Sequence, residues 1–151
     1  MTQKGVCNLG ADASATEGVL VNDGGSGNLN VAGAGFYWIK VDVINLTYSF
    51  TKFDHIALIG DATPGGWNDD TALAYDADNH VWYANNVTLT DGSFKLRADN
   101  SWDIVDFGGS LDKLQKGASN INVTAGTYNI RVHLENTTEA KDPYIELTPV
   151  N

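Results

Sequence analysis

The chain has 151 residues, enough for one ordinary domain or one small domain plus an extra piece, and 42% hydrophobic content supplies a core. Sixteen glycines and only 19% charged residues suit a β-rich, turn-rich chain better than a helical or disordered one. Nine basic residues against 19 acidic ones leave a net charge of −10, which repels duplexes and anionic bilayers, argues against nucleic acid as a partner and leaves neutral ligands open.

The opening, MTQKGVCNLG, shows no basic-then-apolar leader and reads as a cut inside a longer parent. Its single cysteine, Cys7, has no mate for a disulfide or a thiolate metal site. No later run approaches the ~20 apolar residues of a membrane span. Residues 35–44, GFYWIKVDVI, are dense in aromatic and β-branched side chains and predict a strand. Residues 59–68, IGDATPGGWN, are a run of turn-formers that ends in Trp67, with no apolar neighbour before Leu73.

The acidic stretch DDTALAYDADN at 69–79 fails the calcium-loop spacing, because His80 sits at the fifth position and Val81 where glycine is required. A hairpin turn over Asp76–Asn79 is the simpler reading. HVWYANNVTL (80–89) predicts a strand, and so does GSFKLRAD (92–99). The second alternates, with Phe94, Leu96 and Ala98 on one face and Lys95, Arg97 and Asp99 on the other. An Asp-Asn turn then leads to Trp102. LDKLQKG (111–117) is the best helical candidate, with Leu111 and Leu114 three apart and Gly117 as a stop. TYNIRVHLE (127–135) alternates again, and PYIELTPV (143–150) closes the chain. Short strands punctuated this often predict an antiparallel β-sandwich. Four N-x-T triplets, at Asn45, Asn86, Asn122 and Asn136, read as strand-edge polar residues.

The chain also repeats itself. GNLNVAGAGFYWIKVDVIN (27–45) aligns with SNINVTAGTYNIRVHLEN (119–136), so that Gly35, Tyr37, Ile39, Lys40 and Val41 match Gly126, Tyr128, Ile130, Arg131 and Val132. CNLGAD (7–12) echoes VDFGGS (105–110), and TYSFTKF (47–53) echoes YIELTPV (144–150). Residues 1–53 therefore read as the rear half of a module whose complete version is 54–151. Half a sandwich has open strand edges and an uncovered apolar face. Residues 1–53 are expected to pack on the complete module, exchange strands with a neighbouring chain, or stay loose.

Trp67 follows Pro64-Gly65-Gly66 and precedes Asn68-Asp69-Asp70, which is loop chemistry, and loops run over surfaces. A bare indole on a rigid turn invites a flat apolar cover. The C–H face of a sugar ring is one, contributing roughly 1–2 kcal/mol per stacked ring. Trp102 is the second candidate. Lys95, Arg97 and Asn100 stand close to it in sequence and can hydrogen-bond sugar hydroxyls. For each tryptophan the competing reading is a packing residue folded against the sandwich. His55, His80 and His133 are scattered without ligand spacing, so neither metal nor cofactor is expected. Asp61, Asp69, Asp70 and Asp103 single out no glycosidase pair.

The blocks IGDATPGGWN, VWYANNVTLTDGSFKLRADNSWDIVDFGG and NINVTAGTYNIRVHLEN together resemble one repeat of the SusE/SusF group of outer-membrane starch-binding proteins. The resemblance covers 54–150 fully and 6–53 as a partial preceding repeat. It implies immunoglobulin-like sandwiches on a lipid-anchored surface protein, which hold α-glucan on an aromatic platform without hydrolysing it. Trp67 and Trp102 fall on that platform, and Lys95 and Arg97 on its basic strand. Membrane attachment would belong to the parent's anchor, and the location would be the outer membrane of a Gram-negative cell. The expectation is thus an all-β, immunoglobulin-like antiparallel β-sandwich that binds a neutral polysaccharide and is not an enzyme. A structural spacer, or a module for another neutral glycan such as xylan or mannan, is the alternative.

Overall fold

The computed structural model describes residues 8–11, 17–135 and 142–151; Cys7 and Asn136 lie outside them. The protein is all-β, with antiparallel sheets, and divides into two compact units, Met1–Phe53 and Asp54–Asn151. The first unit contains β1 (Leu9–Ala11), β2 (Leu20–Asn22), β3 (Phe36–Asp42) and β4 (Thr47–Phe53), paired as two separate hairpins. The second contains β5 (Ile56–Ile59), β6 (Thr71–Ala72), β7 (Ala74–Asp76), β8 (Val81–Leu89) and β9 (Gly92–Ala98). It continues with β10 (Ser101–Ser110), β11 (Lys113–Lys116), β12 (Ile121–Val123), β13 (Gly126–His133) and β14 (Tyr144–Pro149).

The second unit is a sandwich. One sheet runs β11-β10-β9-β5-β6, with β12 also on β9; the other runs β14-β13-β8-β7. Alternation in the sequence sets what each buries. Phe94, Leu96 and Ala98 on β9 are wholly inaccessible, as are Ile56 and Leu58 of β5. The second sheet supplies Leu89, Ile130, Val132 and Ile145 to the core. Each large side chain so buried contributes roughly 1.5–3 kcal/mol. At one edge the two sheets are stitched by backbone bonds, Leu114 N–H to the Pro143 carbonyl and Ile145 N–H to the Leu111 carbonyl, both 2.7 Å.

Those bonds explain a correction. Residues 111–117 are not helical: Lys113–Lys116 form β11, joined to β10 through Leu111-Asp112, and Leu114 is buried. Seven residues are too few for a helix to hold alone. Strand pairing instead satisfies the backbone on both sides and turns Leu114 inward.

Two hairpin loops are built alike. β3–β4 and β7–β8 each turn through four residues, from Asp42 to Thr47 and from Asp76 to Val81. Each opens on an aspartate that accepts the backbone N–H and side-chain amide of the asparagine three residues on, Asn45 or Asn79. Each ends on a left-handed residue, Leu46 or His80, both at φ 53°. The Asn79 side-chain amide, then the Asn79 and Asp78 backbone N–H groups, hold the Asp76 carboxyl below its ordinary value of 3.8. A carboxylate lowered in the folded state stabilises fully above its unfolded pKa, and that contribution is lost as pH falls through the folded value. The Asn79 amide signal followed by NMR from pH 6 downward should therefore move with a midpoint below 3.8. A midpoint at or above that value would contradict the loop geometry.

Several hydrogen bonds of the first unit have counterparts in the second. Ala11 N–H bonds the Gly27 carbonyl as Gly109 N–H bonds that of Ser119. Leu20 and Tyr48 N–H groups reach the Leu46 and Gly18 carbonyls as Leu114 and Ile145 reach those of Pro143 and Leu111. The Tyr37 hydroxyl donates to the Gly33 carbonyl at 2.8 Å, and the Tyr128 hydroxyl to that of Thr124 at 3.2 Å, four residues upstream in both cases. Of these partners, Gly27, Gly33, Tyr37, Leu46 and Tyr48 fall opposite Ser119, Thr124, Tyr128, Pro143 and Ile145 in the sequence alignment.

Candidate functional site

The outer face of the β10-β9-β5-β6 sheet carries the residues of interest. On β9, Lys95 and Arg97 alternate with the buried Phe94, Leu96 and Ala98 and so point away from the core. β5 lies alongside, Ile59 opposite Lys95 and Ala57 opposite Arg97. Ile59 is nevertheless inaccessible, so this face is covered.

The loop from Gly60 to Asp70 is part of that cover, and it is braced from within. Gly60 N–H bonds the Gly66 carbonyl, Thr63 N–H and hydroxyl bond the Gly60 carbonyl, and Gly66 N–H bonds that of Thr63. The Asp61 carboxylate accepts the Ser93 N–H and hydroxyl on β9, and these bonds hold it below the usual carboxylate range. The paired glycines have separate reasons. A side chain at Gly65 would collide with the Asp69 backbone, and Gly66 adopts φ 61°. Trp67 follows on this braced turn with 44% of its surface exposed. At the loop's far end Asp70 Oδ1 accepts Arg97 Nε at 2.7 Å, both side chains 13% exposed.

Trp102 arrives from the opposite side. Asp99 and Asn100, at φ 48° and 56°, form a two-residue turn that closes Ala98 against Ser101. One step along β9, from Ala98 to Arg97, then spans Ser101 to Asp106 on β10. The four residues between make a wide bulge, and bulges re-aim side chains. Trp102 opens this one. Its ring lies across both cations, 5.3 Å from the Arg97 guanidinium carbon and 5.6 Å from Lys95 Nζ, while 39% of the residue stays exposed. Lys95 is paired with Asp106 and is 14% exposed. The indole thus has a charged bed beneath it, which attracts the ring quadrupole and fixes its plane.

A shallow depression of about 240 Å³ adjoins this platform, lined by His55, Ala57, Asp70, Ala72, Asp99 and Asn100. The structure therefore brings Trp102, Lys95 and Arg97 into direct contact. Asn100 lines the depression beside them, and Trp67 stands three residues before Asp70 on the adjoining loop, exposed. The Lys95 and Arg97 side chains are 14% and 13% exposed and lie against the ring. Sequence reasoning missed Asp106 and the pairing of Asp70. Their only signal was an abundance of acidic residues, which names no partner. Replacing Asp70 by Ala should cost about 1–3 kcal/mol in urea unfolding, since it strands a largely covered Arg97, and should loosen the Trp67 loop. An unchanged midpoint would show that the pair braces nothing.

Comparison with protein-family models, curated proteins and solved structures finds no match to the chain.

Proposed function

We propose that the second unit is a non-catalytic carbohydrate-binding module, and that a neutral polysaccharide, α-glucan of the starch type first, stacks on Trp102 and Trp67. The observation that carries this reading is the Trp102 ring, set on Lys95 and Arg97 yet well exposed. A packing tryptophan would be expected to be sealed, as Trp82 is at 4% exposure. A surface indole held in one plane loses little freedom when a sugar ring docks, so more of the stacking energy remains as affinity. Asn100 and the Asp70 and Asp99 carboxylates around the depression offer donors and acceptors for hydroxyls. A net charge of −10 favours an uncharged ligand over an acidic one.

The immunoglobulin-like subclass belongs to the same proposal, supported by the Tyr128 hydroxyl bond four residues back, a device of such sandwiches. So does a place on the outer surface of a Gram-negative cell within a longer lipoprotein, which rests on the resemblance to the SusE/SusF group. One platform of two rings gives weak binding, and tandem modules would raise retention through effective concentration. The test is electrophoresis through amylopectin gels, with xylan and mannan gels alongside. Retardation in one of the glycan gels is expected, and migration unchanged in all of them would refute binding.

A further inference from the structure

The outer face of the β10-β9-β5-β6 sheet drops away beside Trp102. Residues opposite each other in a sheet share a face. The outward row through Arg97 runs from Asp106 on β10 to Arg97 on β9, Ala57 on β5 and Ala72 on β6. Two charged side chains are thus followed by two methyl groups, and both alanines line the depression of about 240 Å³. Its rim is polar. The Asp99 carboxylate accepts the Asp54 and His55 backbone N–H groups at 3.1 and 2.8 Å, which holds the Asp99–Asn100 turn against the start of β5. Asp70 gives one carboxylate oxygen to Arg97 Nε, and a carboxylate accepts more than one donor. The His55 side chain is 73% exposed.

We propose that this depression is a subsite of its own, which takes the sugar unit next along the chain from the one stacked on Trp102, and that Ala72 sets its size. The inference rests on glycan stacking at Trp102. The Trp102 ring lies across Lys95 and Arg97. Ala57 and Ala72 stand one and two strand spacings beyond Arg97, ~5 and ~10 Å. A sugar ring on Trp102 therefore leaves the depression uncovered, and the neighbouring unit of the same chain reaches it. The volume is below the ~300–1,000 Å³ of pockets that enclose a drug-sized ligand, so it admits one ring and not a length of chain. The alanine methyls offer an apolar contact for the C–H face of that ring, and Asn100 and Asp70 offer hydrogen bonds for its hydroxyls.

The subsite is distinct from Trp67. The loop that carries Trp67 leaves β5 at Ile59, opposite Lys95, whereas the depression gathers at the other end of that strand, round His55 and the Asp99–Asn100 turn. Affinity should therefore rise with ligand length as a further unit of the chain enters the depression. Ala72 is exposed, on a two-residue strand at the edge of the sheet. A larger side chain there fills the depression without entering the core.

Calorimetric titration of the full chain with linear α-1,4-glucose oligomers of increasing length reads the subsite; where the xylan or mannan gel responds instead, linear oligomers of that glycan take their place. For the wild type, affinity should step up about tenfold from the shortest oligomer bound to the longer ones. Ala72→Leu should remove the step, bringing the longer oligomers down to the affinity of the shortest, with the urea midpoint kept. Asn100→Gly, which suits the φ of 56° there, should shrink it. The His55 imidazole NMR signals should shift with the longer oligomers only. An affinity indifferent to length would overturn the subsite. So would a step kept in full by Ala72→Leu while Trp102→Ala loses binding, a result that leaves the glycan reading standing. Binding of no oligomer, with no retardation in any gel, would overturn both together.

Discussion

Trp102→Ala should lower retention in the responsive glycan gel by ~10- to 100-fold in affinity, because it removes the stacking surface together with the area a sugar would dry. The same change strips the aromatic cover from Lys95 and Arg97, which at about 0.5–1 kcal/mol for each cation–π contact predicts a modest loss of stability, far short of unfolding. The two effects are separable. Trp102→Phe keeps a ring over both cations and should restore most of the stability but only part of the retention, since its face is smaller. Trp67→Ala removes the second ring without disturbing the Asp70–Arg97 pair and should cost less than Trp102→Ala. If Trp102→Ala migrates like the wild type in a gel that retards the wild type, the platform is not the binding site.

Gly60→Ala should cost about 3 kcal/mol or more in chemical denaturation. An added methyl would run into the Ser93 carbonyl oxygen and the Phe94 α-carbon. Both are backbone atoms of a strand whose Phe94 ring is wholly buried, so neither can step aside without opening the core. Gly66→Ala is the informative comparison. It lies in the same loop at φ 61° with nothing near the added carbon, so only the left-handed backbone is penalised, about 1 kcal/mol. Equal losses at the two glycines would mean that the close packing of this loop on β9 is not what holds it.

The outward position of Lys95 and Arg97 and the burial of Phe94, Leu96 and Ala98 are legible in the sequence because a strand's period of two is a local property. The Asp76–Asn79 turn is legible for the same reason, since its bonds join neighbours. The strand at Lys113–Lys116 is not, because its conformation depends on carbonyls supplied by β10 and by Pro143, some thirty residues on in the latter case. A three-residue leucine spacing carries no trace of that. Trp67 announces itself through the glycines before it. Trp102 does so only in part: its turn is written in Asp99-Asn100, but the bulge that lays it on the cations is a matter of how far β10 departs from β9.

What the amino-acid order determined by itself is therefore of short range: an all-β chain, which side of each strand is apolar, where it turns, and a sequence pattern that recurs. Tertiary structure alone decided that Asp70 and Asp106 hold Arg97 and Lys95 under an indole, and that Ile39 and Val41 stand open where Ile130 and Val132 are closed. Both are contacts between segments distant along the chain. Similar patterns reach different exposures because burial is conferred by whatever packs against a strand face, and a local pattern does not name that element.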